Sequence, residues 1–123
     1  MATLGNRVFD NGLTVLDTEA NRIDICSTEP TTYAEATSTY TLGNSTSLSI
    51  GAPQDRSGGG REVVVAAISD GSVTGTGTAA YYAIVDTANS RLLATGSLSA
   101  SQSVTSGNTF TLSSVTIGIP DPA

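Results

Sequence analysis

Between Arg61 and Ile119 the chain reads as short β-rich runs: Glu62-Val-Val-Val-Ala-Ala-Ile68, Ala79-Ala-Tyr-Tyr-Ala-Ile-Val85, Leu92-Leu-Ala-Thr95 and Asn108-Thr-Phe-Thr-Leu-Ser-Ser-Val-Thr-Ile117. Between them lie Asp70-Gly71, Gly75-Thr-Gly77, Asn89-Ser90 and Ser106-Gly107-Asn108, residue types that tolerate positive φ or bond their own backbone and so supply turns. The run from Val63 to Ile68 lacks alternation, which predicts a strand covered on both faces or paired at the centre of a sheet. Asn108 to Ile117 reads as one long strand, with Phe110, Leu112, Ser114 and Thr116 on one face and Val115 and Ile117 on the other.

Working outward, Asp86-Thr-Ala-Asn-Ser-Arg91 is short enough for a hairpin, with Asp86 and Arg91 set to pair across its mouth. Leu92, Leu93 and Leu98 are expected in the core, and Gln102 to Ser106 as an edge strand. Gly51 to Gly60, with Pro53, Arg56 and three consecutive glycines, reads as a flexible loop. It is no phosphate cradle, because a strand and not a helix N-terminus follows it. Thr39 to Ile50 alternates loosely around a Gly43-Asn44 turn. Ser69 to Ser72 is a further turn, followed by a glycine-interrupted strand from Val73 to Gly77.

Upstream, Ile23 to Ser27 is a strand with Ile23 and Ile25 on one face and Asp24 and Cys26 on the other. After Pro30, Thr32 and Glu35 stand three apart as a capping box, which predicts a helix of one or two turns packed on the sheet through Tyr33 and Ala36. The segment Thr3 to Glu19 carries two signals. Leu4, Val8, Leu13 and Leu16 are roughly helix-spaced, whereas Asp10-Asn11-Gly12 suits a hairpin. The helix is preferred, because packing can offset the roughly 1 kcal/mol cost of an internal glycine.

The chain has 123 residues, room for one domain. The expected organisation is an N-terminal arm or helix over 1–20 and a single β domain over 21–123 with its flexible loop at 51–60. The fold class is mainly β, an antiparallel β-sandwich or jelly-roll-like arrangement with a short N-terminal helical segment.

Five arginines and no lysine stand against eleven acids, a net charge of −6. No basic cluster exists to displace counterions, so a nucleic acid partner is not expected. No apolar run of spanning length occurs, so no membrane partner is expected either. There is no histidine and one cysteine, Cys26. That removes histidine-based triads, Cys-His dyads and ordinary zinc sites, and no calcium-loop spacing of aspartates is present. No catalytic residue, metal or cofactor is assigned, and the chain reads as no enzyme. Cys26 reads as a buried small hydrophobe, with a bond to another copy as the sharper alternative.

Contact with other macromolecules is what remains. Tyr33, Tyr40, Tyr81 and Tyr82 are candidate interface residues because tyrosine offers large area at low entropic cost, although filling the sheet with hydroxyls at the rim accounts for them equally well. Of Tyr81 and Tyr82, on opposite faces, one should enter the core and the other meet solvent or a neighbouring subunit. Arg56 at the glycine-rich loop, and Leu4, Val8 and Phe9 on the N-terminal arm, complete the set.

Three segments carry a resemblance: Leu16 to Ala20 running into Ile25 to Tyr40, Ala67 to Val73 through Ala83 to Asp86, and Asn89 to Gly96 continuing to Val104 to Leu112. Together they resemble small virion structural proteins encoded by tailed bacteriophages. The resemblance implies a capsid decoration or cement protein that binds the major capsid protein, assembled in the host cytoplasm and located in the virion. It further implies a homo-oligomer, with a trimer at local threefold axes as the fitting symmetry. The alternative is a tail, collar or fibre component that contributes to host-surface attachment through the loop at 51–60.

Overall fold

A computed structural model of the chain describes residues 6–120, with side chains from residue 11 onward. Leu4 lies outside the described residues, and so do the side chains of Val8 and Phe9. The chain is mainly β with antiparallel sheets and a short helix, as the sequence predicts, and is consistent with the sandwich-like class. It divides into two compact units. One is built from the N-terminal helix, Ser49–Ala67 and the chain from Ser113 onward, the other from Ala20–Leu48 and Ile68–Leu112.

In the first unit the helix α1, Asn6–Glu19, runs unbroken through Gly12. Leu13 and Leu16 are both buried, and the helix packs on a strand of the unit's sheet. Burial of this three-residue repeat outweighs the local hairpin tendency of Asp10-Asn11-Gly12. A Cβ at Gly12 would stand 3.7 Å from Ile119 Cδ1, an ordinary contact, so packing does not demand a glycine there.

The sheet under the helix has three strands. Of the nine strands among the described residues, numbered in chain order, it contains β3 (Gln54–Asp55), β4 (Arg61–Val65) and β9 (Val115–Ile119), with β4 in the middle. Val63 and Val65 are fully buried while Val64 is half-exposed, so β4 is central, as expected, but buried on one face only. The strand stops at Val65, and Ala66 and Ala67 are exposed. Ile68 belongs to the other unit, which corrects the reading of 62–68 as one strand.

The glycine-rich stretch is a hydrogen-bonded hairpin. The Arg56 N–H donates to Gly60 O (3.2 Å) and the Gly59 N–H to Arg56 O (3.1 Å). Gly60 has φ +92°, and a Cβ there would fall 2.0 Å from the carbonyl oxygen of Ile119. Only glycine meets both conditions.

The second unit is a six-stranded antiparallel sheet in the order β7-β6-β1-β2-β5-β8. Its strands are β1 (Arg22–Cys26), β2 (Thr41–Ser45), β5 (Ile68–Val73), β6 (Gly77–Asp86), β7 (Arg91–Val104) and β8 (Thr109–Leu112). The sheet curls into a half-barrel. Gln102 Nε2 on β7 donates to Thr111 O on β8 (2.8 Å), so the two outermost strands are tied by a side chain. Ile23, Ile25, Val73, Tyr82, Ile84, Phe110 and Leu112 are buried in this unit.

Several sequence expectations fail here. Gly43-Asn44 is inside β2, Asp70-Gly71 is inside β5, and 108–117 is two strands. Gly43 and Gly71 are glycine because neighbouring strands and the Phe110 ring leave no space for a Cβ: at Gly43 it would lie 2.5 Å from Ser72 O. Asp70 falls in an irregularity of the β5–β8 pairing, between Ile68 and Gly71. Val73 closes β5, and Thr74 to Thr76 connect it to β6, so no strand runs from Val73 to Gly77.

Ser113 and Ser114 separate β8 in the six-stranded sheet from β9 in the three-stranded one. Leu92, Leu93 and Leu98 are half-buried and do not enter the core, because β7 is an outer strand; the edge strand expected over 102–106 is observed over 102–104 as the end of β7, with Thr105 and Ser106 beyond it.

Candidate functional site

The most differentiated surface of the second unit is one face of β1 and β6. Register places Asp24 opposite Ala83, Cys26 opposite Tyr81 and Arg22 opposite Val85. Alternation therefore puts Asp24, Cys26, Tyr81, Ala83 and Val85 on one side and Ile23, Ile25, Tyr82 and Ile84 on the other. Cys26, Ala36, Ala83 and Val85 form a buried cluster, with Tyr33, Tyr40, Tyr81 and Leu92 partly buried around it.

The element above this cluster is a single π-helical turn, Glu35–Thr39, closed by the Tyr40 N–H donating to Glu35 O (2.9 Å). The helical lead-in to it, Tyr33-Ala34, is capped nearly as the sequence predicts. Thr32 Oγ1 accepts from the Glu35 N–H (3.1 Å), and Glu35 Oε1 accepts from the N–H and the hydroxyl of Thr31, both at 2.8 Å. The carboxylate thus reaches one residue further back than in a standard capping box. Hydrogen bonds from Thr31, its backbone N–H above all, hold the Glu35 carboxyl below the usual carboxylate range. The wider turn seats Ala36 against the sheet, where its carbonyl oxygen lies 3.7 Å from Cys26 Sγ.

Two polar features of β1 are fixed by their surroundings. Asp24, with no solvent exposure, accepts from Arg22 Nε at 2.7 Å and Nη2 at 2.8 Å, and from Thr41 Oγ1 at 2.7 Å. This fork is the geometry that suits burial of a carboxylate. The Asp24 hydrogen bond in turn raises the Arg22 pKa, with a smaller contribution from Tyr33. Burial pushes the Cys26 thiol up to about 12, so it stays protonated at neutral pH and is a packing group without nucleophilic character.

Of the residues singled out from the sequence, Tyr33, Tyr40 and Tyr81 come together on this face. Tyr82 does not. Its side chain is buried on the opposite side, over Gly96, where a Cβ would fall 2.6 Å from the phenol. Arg56 belongs to the other unit, where Nη1 donates to Gly59 O (3.1 Å) and the side chain lies over Gly118.

Sequence reasoning misses the Arg22–Asp24–Thr41 network. Its one trace in the sequence is a pair of opposite charges two apart in an otherwise apolar strand. Asp86 is likewise anchored, accepting from the Ala88 N–H (3.0 Å) and Asn89 Nδ2 (2.8 Å), and these bonds, Asn89 first, lower its pKa. Asn89 and Ala88 in its own turn act on it most, and Arg91, opposite it on β7, also lowers its pKa as the last of the causes.

Among the described residues no group of three or more histidine, cysteine or acidic side chains is placed to hold a metal ion, and no helix is long and apolar enough to cross a membrane. Compared with protein-family models, curated proteins and solved structures, the chain matches none.

Proposed function

We propose that this chain is a structural component of a tailed-bacteriophage virion, a capsid decoration or cement protein that binds the major capsid protein and stabilises the shell. The observation that carries the reading is the gathering of Tyr33, Tyr40 and Tyr81 on one face, packed against the cluster of Cys26, Ala36, Ala83 and Val85 and each still partly exposed. Tyrosines fixed in this way offer contact area with little further entropy to lose. The resemblance of the three segments to phage virion proteins supplies the class of partner. Repetition over a lattice multiplies a modest affinity per copy into firm attachment.

Copy number tests the proposal. Mass-spectrometric quantification in purified particles should find hundreds of copies of a shell-decorating chain. A few copies or a few dozen would move it to the tail, collar or fibre, and absence from the particle would remove the virion reading. Particles lacking the chain should also rupture at lower temperature than complete ones.

A further inference from the structure

The four outer strands of the two sheets are not alike. β8 has its Thr111 carbonyl occupied by Gln102, and β7 is broken in register between its Gln102 and Ser97 pairings. β3 is two residues long, and its Asp55 is paired with Arg61. Short length, charge and irregularity are the devices that keep sheet edges from pairing with other chains. β9, Val115-Thr-Ile-Gly-Ile119, has none of them. It is five residues in regular register with β4, and contains no charged residue and no proline.

The hydrogen-bond directions in this sheet identify the groups at that edge. On β4, Val64 O accepts from the Gly51 N–H and the Ala66 N–H donates to Ser49 O, while Gly60 O accepts from Arg56. The even-numbered residues of this stretch therefore point away from β9, and Arg61, Val63 and Val65 point towards it. Their partners Ile119, Ile117 and Val115 use their backbone groups on β4. Thr116 and Gly118 then direct N–H and C=O outward, where β9 has no strand neighbour among the described residues.

We propose that β9 pairs antiparallel with β9 of a second copy about a twofold axis centred on Ile117, joining two three-stranded sheets into one of six strands. In that register Thr116 of each copy exchanges both backbone hydrogen bonds with Gly118 of the other. Ile117 meets its own equivalent at the close, non-hydrogen-bonded position. Local charge permits a second copy here although the chain carries −6: β9 itself has no charged residue, and beside Gly118 the Arg56 side chain lies together with Glu62, so opposite charges accompany each other at this edge and no acid stands on the strand that two copies would share. The pairing stands apart from the virion reading, since a chain of any function would form it.

The full chain, followed by light scattering and sedimentation over a range of concentrations, should have twice the monomer mass. Thr116→Pro removes an N–H used only at the outer edge, so it should halve the mass and leave the circular dichroism spectrum unchanged. Ile117→Cys should form an intermolecular disulfide dimer on mild oxidation, because the facing Cα atoms are then within bridging distance. A wild-type monomer or trimer at high concentration, a dimer that survives Thr116→Pro, or a folded Ile117→Cys chain that fails to crosslink overturns the proposal. If Thr116→Pro fails to fold, the crosslink decides.

Discussion

The outer end of the Phe110 ring fills the space beside Gly71, its cross-strand partner on β5, so closely that a Cβ on Gly71 would fall 2.2 Å from Cζ. A glycine and a ring here fill one space together. Gly71→Ala must displace a side chain that is only 3% exposed, and should cost about 1–3 kcal/mol, the usual range for overpacking. Phe110→Ala should cost about 3–5 kcal/mol. In the Phe110→Ala background the alanine at 71 has room, so its penalty should largely vanish. A double-mutant cycle by urea unfolding reads this coupling, and strict additivity would contradict it.

Gly60 is held by backbone on both counts, its φ of +92° and the Ile119 carbonyl beside it. Since no rotamer change relieves a clash with a carbonyl, Gly60→Ala should lower stability by about 1–3 kcal/mol or more. Gly58 also has positive φ but open space around it, so Gly58→Ala should cost less. Melting temperatures of the two variants give the comparison.

Arg22 and Asp24 form a fork in which the acid is fully buried. Arg22→Ala strands a buried carboxylate with Thr41 as its remaining donor, and should destabilise by about 3–5 kcal/mol. Adding Asp24→Asn removes the charge and should recover part of that loss. Denaturant titration of the single and double variants checks it.

At the alkaline end, Cys26 should make stability pH-dependent. Its folded pKa of about 12 lies above the ordinary 9.0, so the unfolded chain loses its thiol proton first. The contribution is complete below pH 9 and is lost as the pH rises towards 12. Cys26→Ala should flatten the decline. The native thiol should also resist a disulfide reagent at pH 8 and react once urea unfolds the chain. Reaction at the rate of an exposed thiol would show that the π-helical turn does not cover it.

At the acid end the sign reverses. Glu35 and Asp86 have depressed pKa values through Thr31 and Asn89, so their contribution is present above the ordinary carboxylate range and disappears as pH falls through the folded values. Asn89→Ala should raise the Asp86 pKa in an NMR titration and leave Glu35 where it is. Equal movement of both would contradict a cause confined to the turn that holds Asp86.

Local chemistry settled much of this molecule. The hairpin at 87–90, the strand Arg22–Cys26, the cap that Thr32 and Glu35 build, and the mainly antiparallel β class follow from neighbours in sequence, where the forces act over three or four residues. So did the choice of Tyr33 and Ala36 as the residues that seat the π-helical turn. The gathering of Tyr33, Tyr40 and Tyr81 on one face came only from strand register and the path of the turn.

Tertiary structure decided the rest. Gly43 and Gly71 look like turn residues, because turns and close strand contacts select glycine for the same missing Cβ, and only the partner strands and the Phe110 ring distinguish the two. The division of 108–117 between two sheets and the outward aim of the Thr116 and Gly118 backbone depend on residues tens of positions away, and the burial of Asp24 needs Thr41, 17 residues on, as well as its near neighbour Arg22. Such pairings are fixed by which strands meet, and no window of local sequence contains that information.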